Sequence, residues 1–334
     1  MQQIAEYSSI NVEKFRNEIA PSNQPAILRG FINDWPAVSK ANASDDSICH
    51  YIKGFDRKLP ASVFFAGPEI CGRFWYDENM RGFNFEQRSE TLSNILDQLV
   101  AHMNDAEPPA IYAGSVAMGQ VMPQFIVENT LPMLGNFVEP RIWIGNKTTI
   151  QTHYDVSENL ACVVAGKRRF TLFPPEQLPN LYVGPLDFNP ANAPVSMVQL
   201  HDPDFTKYPK FKLALESAYS AELQPGDVIY IPYMWWHHVE SLAPINVLVT
   251  YWWDRAYPGT GSAFTALMHA VLAVRSLPPD RRAIWKQQFD HYVFETNGDP
   301  VSHLDTHART VLNPMNSNIV SHIKRWLMRE ITKP

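Results

Sequence analysis

The stretch QTHYDVSENLACVVAGKRRFTLFPP, residues 151–175, decides the fold and raises the first functional question. Its two apolar runs, NLACVVAG and RRFTLFP, meet at a glycine and a lysine, which is typical of consecutive strands joined by a turn. At its start, His153 and Asp155 lie two positions apart, so on a strand both side chains share one face. An imidazole beside a carboxylate can chelate a divalent metal, but the pair alone also fits two ordinary polar residues on a solvated strand.

The strand pattern continues on both sides of this stretch. Between Ile150 and Trp253, short apolar runs such as DVIYIP, HHVESL and NVLVTYWW alternate with Gly, Pro or polar turns. Many short strands at such spacing indicate a sandwich or a barrel, so we expect a mainly β fold. One interruption, residues 184–212, is too long for a simple connection, and loops of this length often carry function or cover a site.

Helical patterns flank the strand region. Residues 11–19 have helical character, and SETLSNILDQLVAHM places apolar residues at helical spacing, with Ser89 as the expected N-cap. After Trp253, three further amphipathic or apolar stretches also indicate helices.

These patterns predict two parts. Residues 1–255 form a β domain with an N-terminal α/β extension and a barrel core at about 110–255. Residues 256–334 form a C-terminal helical segment.

Composition restricts the class of protein. The chain has 334 residues, a formal net charge of −6 and 45% hydrophobic residues, which fits a globular protein with a sizeable core. The mildly acidic balance gives no reason to expect nucleic-acid binding. The three cysteines lack paired spacing, the N-terminus lacks an apolar signal core, and no apolar run has membrane-spanning length. We therefore expect a cytoplasmic protein that does not bind membranes.

A second histidine motif changes the meaning of the first. QPGDVIYIPYMWWHHVESL, residues 224–242, ends a predicted strand with His237 and His238. One of them, brought onto the metal of His153 and Asp155, would complete the two-histidine, one-carboxylate set of non-haem Fe(II) oxygenases. Strand alternation allows only one to face that metal, and periodicity does not choose between them. Of the remaining histidines, His201 and five others show no convincing metal-ligand spacing with one another.

Several separated motifs together resemble the JmjC/cupin-like 2-oxoglutarate oxygenases. The similarity is greatest to the asparaginyl hydroxylase that inhibits hypoxia-inducible factor and to bacterial cupin-like proteins of that group. The motifs occur in order over about residues 10–255 and are PAILRGFINDWPAV, GRFWYDENMRGFNF, THYDVSENLACVVAGKRRFTLFPPEQL, VQLHDPDFTKYPKF, PGDVIYIPYMWWHHVESL and LVTYWW. The resemblance implies a double-stranded β-helix (cupin or jelly-roll) that binds Fe(II) at its open end and uses 2-oxoglutarate and O2. It also implies that the metal ligands and catalytic residues are His153, Asp155 and His237.

The resemblance further implies a cationic anchor for the distal carboxylate of 2-oxoglutarate. In the hydroxylase, a lysine two residues after a strand-end glycine has this role. Here that glycine is Gly166 and the position is occupied by Arg168. Arginine keeps the charge but presents a larger planar fork of donors. Neighbouring Lys167 should point to the opposite face of the strand.

Other co-substrate residues follow from the same resemblance. Tyr112 matches a tyrosine that hydrogen-bonds the distal carboxylate, Asn159 matches an asparagine near the co-substrate, and Trp252 lies near the site. Two positions depart from the family pattern. Ile150 replaces a co-substrate-binding threonine, and Thr250 replaces an asparagine.

The sequence and the resemblance together therefore favour an Fe(II)/2-oxoglutarate-dependent oxygenase, and we expect a hydroxylase of a peptide or protein side chain that forms succinate and CO2. A small-molecule substrate remains open. One alternative is a metal-dependent cupin enzyme that does not use 2-oxoglutarate, and another is a non-catalytic binding or regulatory module. The resemblance also implies a homodimer through the C-terminal helices, although a monomer with these helices folded onto the barrel is an alternative.

Overall fold

The protein forms two compact units, Met1–Trp253 and Asp254–Pro334. The structure, a computed structural model, describes residues 1–131, 133–134, 138–190 and 193–332. The strands of the described residues are β1 (Gln2–Gln3), β2 (Ala5–Ser8), β3 (Ala26–Arg29), β4 (Ala61–Ala66), β5 (Glu86–Glu90), β6 (Ala110–Ala117), β7 (Pro140–Gly145), β8 (Thr149–His153), β9 (Glu158–Ala165), β10 (Arg168–Phe173), β11 (Tyr219–Leu223), β12 (Val228–Ile231), β13 (Trp236–Ser241) and β14 (Asn246–Trp253).

The described residues also form helices in both units. The α-helices of the described residues are α1 (Val12–Lys14), α2 (Pro36–Ala43), α3 (Asp45–Lys53), α4 (Leu92–His102), α5 (Met118–Val121), α6 (Pro123–Glu128), α7 (Phe211–Glu216), α8 (Ala263–Ala273), α9 (Pro279–Tyr292) and α10 (Ser317–Ile331). A π-helical turn, Phe15–Ile19, continues α1, so the predicted helix over 11–19 is a mixed one.

The strands form two sheets. A nine-stranded sheet has the order β2-β3-β12-β9-β14-β7-β6-β4-β5, and a five-stranded sheet has the order β1-β11-β10-β13-β8. A buried apolar cluster joins them, with Ala161 and Val163 from β9 on one side and Phe170 and Leu172 from β10 on the other. Two facing sheets with flanking helices confirm the predicted mainly β, double-stranded β-helix fold.

Strand β9 shows why the sequence folds in this way. All eight of its residues are buried, and successive side chains enter different cores. Ala161 and Val163 face the five-stranded sheet, whereas Leu160, Cys162 and Val164 belong to the cluster formed with the helices. A strand buried on both faces has a nearly continuous apolar sequence, and NLACVVA is such a sequence. Full burial of each large apolar side chain stabilises the fold by roughly 1.5–3 kcal/mol.

The turn between β9 and β10 requires glycine. Gly166 has φ +77°, and a Cβ there would lie 2.4 Å from the carbonyl oxygen of Ile245. The Asn246 amide oxygen accepts a hydrogen bond from the Lys167 backbone N–H at 3.3 Å. This tight turn fixes the start of β10, so Arg168 enters the space between the sheets, as the strand alternation predicts.

Helix α4 corrects a detail of the sequence interpretation. Its N-cap is Thr91, whose side chain accepts a hydrogen bond from the Asn94 N–H at 3.2 Å. Ser89, the expected cap, instead lies in β5 opposite Ser62 of β4. The ladder hydrogen bonds of β5 hold the chain extended up to Glu90, so the helix begins later than the residue types indicated.

The long segment between β10 and β11 packs on the outer face of the five-stranded sheet. Its side chains Leu181, Val198 and Phe211 form a buried cluster with Phe173 of β10 and Trp236 of β13. The segment therefore adds a third layer to this side of the β unit.

The C-terminal unit consists of α8, α9, α10 and two short 3₁₀ turns. None of the described residues in these three helices is buried. An apolar cavity of about 790 Å³ lies within the unit, and Trp285, Phe289 and Leu327 are among its lining residues. From the sequence we expected this segment to begin at residue 256.

Across the described residues, every helix is too short or too polar to cross a membrane.

Candidate metal and co-substrate site

The two histidine motifs meet across neighbouring strands. His153 ends β8 and pairs directly with His237 of β13, and their ring centroids lie 4.2 Å apart. Asp155 follows two residues after His153, and its Oδ2 is 3.5 Å from His237 Nε2. One ligand-capable atom from each of the three lies within 4.8 Å of those of the other two. This is a two-histidine, one-carboxylate set assembled from two strand ends.

Backbone carbonyls orient both imidazoles. His153 Nδ1 lies 2.8 Å from the Gln151 carbonyl oxygen, and His237 Nδ1 lies 3.0 Å from the Trp235 carbonyl oxygen. A carbonyl only accepts, so each Nδ1 carries the proton and donates it. Each Nε2 is then left with its lone pair. Metal-ligating histidines are typically held in this way, because the second hydrogen bond fixes the tautomer and the ring orientation.

Burial keeps His153 in the form that binds metals. The pKa of His153 is lowered to about 4, mainly by loss of solvent and also by neighbouring His237, although Asp155 and the Gln151 carbonyl oppose the shift. The ring is therefore neutral at physiological pH, and neutral imidazole is the metal ligand.

The structure also decides between the two neighbouring histidines. His237 and Val239 face the space between the sheets, where Val239 joins the inner apolar cluster. His238 points to the outer face of β13, where its Nδ1 lies 3.4 Å from Thr152 Oγ1. Only His237 can therefore reach the other two residues of the set.

Arg168 provides a buried positive charge deeper in the same space. Its side chain is 1% exposed, and its Nε and Nη2 atoms have no hydrogen-bond partner among the described residues. Burial lowers the pKa of Arg168, and the Tyr112 hydroxyl, which hydrogen-bonds the guanidinium, opposes this shift. Burial likewise raises the pKa of Tyr112, so its hydroxyl stays neutral. A buried charge without a counter-charge is costly, so this position is suited to an anion.

All eight residues nominated from the sequence surround one cavity of about 40 Å³ between the sheets. They are Tyr112, His153, Asp155, Asn159, Arg168, His237, Thr250 and Trp252. Besides Arg168, two of them have buried polar atoms with no hydrogen-bond partner in the described part of the chain: Asn159 Oδ1 and Trp252 Nε1. Unmatched donors and acceptors around one cavity indicate a polar ligand.

Sequence reasoning missed Trp143, which lines the cavity and whose Nε1 donates to Thr250 Oγ1 at 2.8 Å. The alternation of RIWIG contained a signal, because Ile142 and Ile144 join the helix-facing core while Trp143 between them faces inward. Ile150, a departure from the family pattern, also lines the cavity and places an apolar group beside the polar ones.

A wider cavity of about 260 Å³ adjoins this space and shares His153, Asp155 and Trp252 with it. Its other walls include Phe64 and Phe74. The segment between β10 and β11 adds Pro190, Ala193 and Val195 to these walls. In the sequence, this segment was notable only for its length, which did not indicate which of its residues reach the cavity.

Hydrogen bonds fasten the segment to β8. The Ser196 N–H donates to the Thr152 carbonyl at 2.8 Å, and the Gln151 side-chain amide donates to the carbonyls of Ser196 and Val198. These contacts place Val195 opposite His153 in an isolated bridge. The wall of the wider cavity is thus tied to the strand that carries the first histidine.

Comparison with known proteins gives a consistent result. Residues 12–258 match the family described as "Cupin-like domain". Jumonji C domain-containing protein 5 of Drosophila melanogaster is 27% identical over 257 residues, covering 75% of this chain and 60% of the relative. Lysine-specific demethylase JMJ31 of Arabidopsis thaliana is 24% identical over 274 residues, covering 75% of this chain and 49% of the relative. Lysine-specific demethylase 8 of Danio rerio is 26% identical over 252 residues, covering 73% and 56%. The matched region spans about half to three-fifths of these relatives.

Proposed function

The chain belongs to the JmjC/cupin-like family of Fe(II)/2-oxoglutarate-type oxygenases, and on that premise we propose that it hydroxylates a side chain of a peptide or protein. The observation that carries this proposal is the joint presence, in one cavity, of the two-histidine, one-carboxylate set and the unpaired cation of Arg168. The first is the ligand set of a non-haem iron centre. The second fits the distal carboxylate of 2-oxoglutarate.

The donor set fits Fe(II). His153, Asp155 and His237 would hold the ion through two imidazole nitrogens and a carboxylate oxygen, and such a set leaves coordination positions for other ligands. With 2-oxoglutarate and O2, the bound iron supplies the oxidising chemistry that converts a C–H bond into C–OH, with succinate and CO2 as co-products. The hydrogen bonds of His153 and His237 to carbonyls keep both Nε2 lone pairs available.

The pocket fits a dicarboxylate. Nε and Nη2 lie along one side of a guanidinium, which is the side that binds a carboxylate with two parallel hydrogen bonds. Tyr112 touches the same guanidinium and presents a neutral hydroxyl. The Thr250 oxygen accepts from Trp143, so the Thr250 hydroxyl proton remains available for another acceptor. This arrangement favours 2-oxoglutarate over a cupin reaction that uses the metal alone.

The wider cavity is where we place the substrate. Its aromatic and apolar walls, among them Phe64, Phe74 and Val195, would exclude water around an inserted side chain and hold it beside His153 and Asp155. Two of the relatives are named lysine-specific demethylases. Removal of an N-methyl group begins with the same oxidation of a C–H bond, but it also releases formaldehyde.

The test is binding followed by turnover. Titration of 2-oxoglutarate into the anaerobic Fe(II) protein should give a metal-to-ligand charge-transfer band and a binding heat. With a peptide library and O2, succinate should form, and the peptide should gain one oxygen atom. No band and no heat would overturn the proposal, whereas formaldehyde in place of an oxygenated product would assign demethylation. His307→Ala, at an exposed position in the C-terminal unit, is the control variant and should bind 2-oxoglutarate as the wild type does.

We further propose that the chain forms a homodimer through its C-terminal unit. Large apolar side chains there are exposed, including Leu272 at 72% and Trp326 at 49%, and such surfaces are typical of interaction sites. Light scattering should give twice the chain mass for the wild type and the chain mass for Leu272→Glu. Lys286→Ala, in the same unit, should remain a dimer. A monomeric wild type would contradict the proposal.

All three cysteines lie in the described part of the chain, and none forms a disulfide. Together with the cytoplasmic location expected from composition, this supports a proposal that the protein works in a reducing compartment.

A further inference from the structure

The outer face of β13 carries a second group of ligand-capable side chains. His238 and Glu240 alternate with His237, so they point away from the cavity described above. His201 reaches them from the segment between β10 and β11. One ligand-capable atom from each of His201, His238 and Glu240 lies within 4.8 Å of those of the other two.

The contacts within this group are close. His201 Nε2 lies 2.8 Å from Glu240 Oε1, and the His201 and His238 ring centroids are 6.0 Å apart. The second oxygen of Glu240 is 3.5 Å from Arg169 Nη1, and Arg169 also pairs with Glu222 at 2.7 Å. Arg169 thus contacts one oxygen of Glu240 and leaves the other turned toward His201, as hydrogen-bonded neighbours orient metal-ligating carboxylates.

An independent observation points to a ligand at this place. His238 is 2% exposed, and its Nε2 atom has no hydrogen-bond partner among the described residues. Its other nitrogen, Nδ1, lies beside Thr152 Oγ1. A buried ring nitrogen without a partner is unfavourable, because it has lost its hydrogen bond to water and gained nothing in return. A metal ion would accept the Nε2 lone pair.

We propose that His201, His238 and Glu240 form a second metal site, separate from the candidate iron centre, that binds Zn²⁺. Two imidazoles and one carboxylate are a normal zinc ligand set, and the exposed side of His201 leaves the fourth position to water. The metal would replace the His201 proton that now bridges to Glu240. Softness and geometry favour Zn²⁺ over Mg²⁺ or Ca²⁺, because two of the three ligands are nitrogen atoms.

The position of this site indicates a structural role. It joins the segment between β10 and β11 to β13, the strand that carries His237, and the same segment supplies Val195 to the wider cavity. Hydrogen bonds from Gln151 and Ser196 already fasten the segment to β8. A metal at His201 would fasten its next part to β13 and so hold the wall of the cavity in place.

The test counts zinc ions bound per full-length chain after equilibrium dialysis. The ligand set of the candidate iron centre would also accept Zn²⁺, so it is removed first with His153→Ala and Asp155→Ala together. This double variant should retain one Zn²⁺ per chain, and Zn²⁺ should raise its thermal unfolding midpoint. Adding His201→Ala should abolish both effects, whereas adding His307→Ala should change neither. His201 is an exposed side chain, so its replacement should not prevent folding.

Glu240→Gln in the double variant gives a second measurement. The amide keeps the shape of the side chain but removes the charge, so zinc affinity should fall at least about tenfold. Failure of the double variant to bind Zn²⁺ would overturn the proposal. Equal zinc binding with and without His201→Ala would overturn it as well, and neither result depends on whether the chain uses 2-oxoglutarate.

Discussion

Replacement of Arg168 by methionine should change ligand affinity and stability in opposite directions. Arg168 is fully buried, and its Nε and Nη2 donors lack partners among the described residues. If both bind a carboxylate of 2-oxoglutarate, two charge-assisted hydrogen bonds are lost in the variant, each contributing about 1.5–3 kcal/mol. A loss of about 3 kcal/mol or more corresponds to an affinity for 2-oxoglutarate at least about a hundredfold weaker.

Without 2-oxoglutarate, the replacement should leave the stability of the protein unchanged or increase it. The variant no longer buries an uncompensated charge, and methionine fills much of the same volume. Apolar replacement of buried charged groups is often neutral or stabilising by about 1–4 kcal/mol. We therefore expect the thermal unfolding midpoint of Arg168→Met without 2-oxoglutarate to equal or exceed that of the wild type.

The assay combines calorimetric titration with thermal unfolding, both under anaerobic conditions with Fe(II). At 2-oxoglutarate a hundredfold above the wild-type Kd, the wild type gains about 2.7 kcal/mol from binding. The variant, with a hundredfold weaker Kd, gains only about 0.4 kcal/mol at the same concentration.

Arg169→Met is the matched control for this experiment. Arg169 is the next residue on β10, but it points outward and pairs with Glu222 and Glu240. Its replacement should leave the affinity for 2-oxoglutarate unchanged. Unchanged affinity in Arg168→Met would refute the anchoring role, and a loss of several kcal/mol of stability in the absence of 2-oxoglutarate would mean that the guanidinium serves the fold instead.

Three further predictions concern the metal, the turn and the thiols. In a His201→Ala background, which removes the proposed second metal site, Asp155→Ala should abolish Fe(II) binding in calorimetry while the unfolding midpoint changes little, since the Asp155 side chain is 21% exposed; undiminished binding would place the metal elsewhere. Gly166→Ala should lower the free energy of unfolding by about 1–3 kcal/mol because its φ is +77° and a Cβ would meet a carbonyl. Gly261→Ala, at φ +91° with open space around it, should lower it less, and equal losses would contradict the clash. Burial raises the pKa of Cys49 to about 12, so at pH 8 its thiol stays protonated and iodoacetamide should label exposed Cys71 first in peptide mapping; equal labelling would contradict the burial of Cys49.

The sequence predicted the site as far as strand alternation extends. Alternation separated Arg168 from Lys167, and the structure has Lys167 exposed and paired with Glu222. Asp155, expected on the same strand face as His153, instead lies two residues beyond the end of β8, although it still reaches His237. Alternation did not separate His237 from His238. The β8–β13 register shifts between His237 and Val239, so even the pairing pattern is irregular at the place where the choice is made.

Contacts between distant segments could not be read in this way. Trp143 reaches Thr250 across neighbouring strands, and His201 reaches Glu240 from an irregular stretch before α7. His201 showed no metal-ligand spacing in the sequence because its neighbours in space come from a strand almost forty residues later. Such groups arise from tertiary packing, for which local periodicity carries no signal.

Arg168 and Ile150 are better understood as one change than as two. Both line the same cavity, and the resembled hydroxylase has a lysine and a threonine at these positions. Isoleucine removes a hydroxyl donor, whereas arginine supplies five N–H donors in place of the three of lysine, with the same charge. The pair therefore preserves the charge without reducing the number of donors, five against four, and it places them all on one rigid group. If the chain has the proposed function, the departures from the family pattern describe a differently built pocket for the same kind of anion, and they do not by themselves argue for a cupin without 2-oxoglutarate.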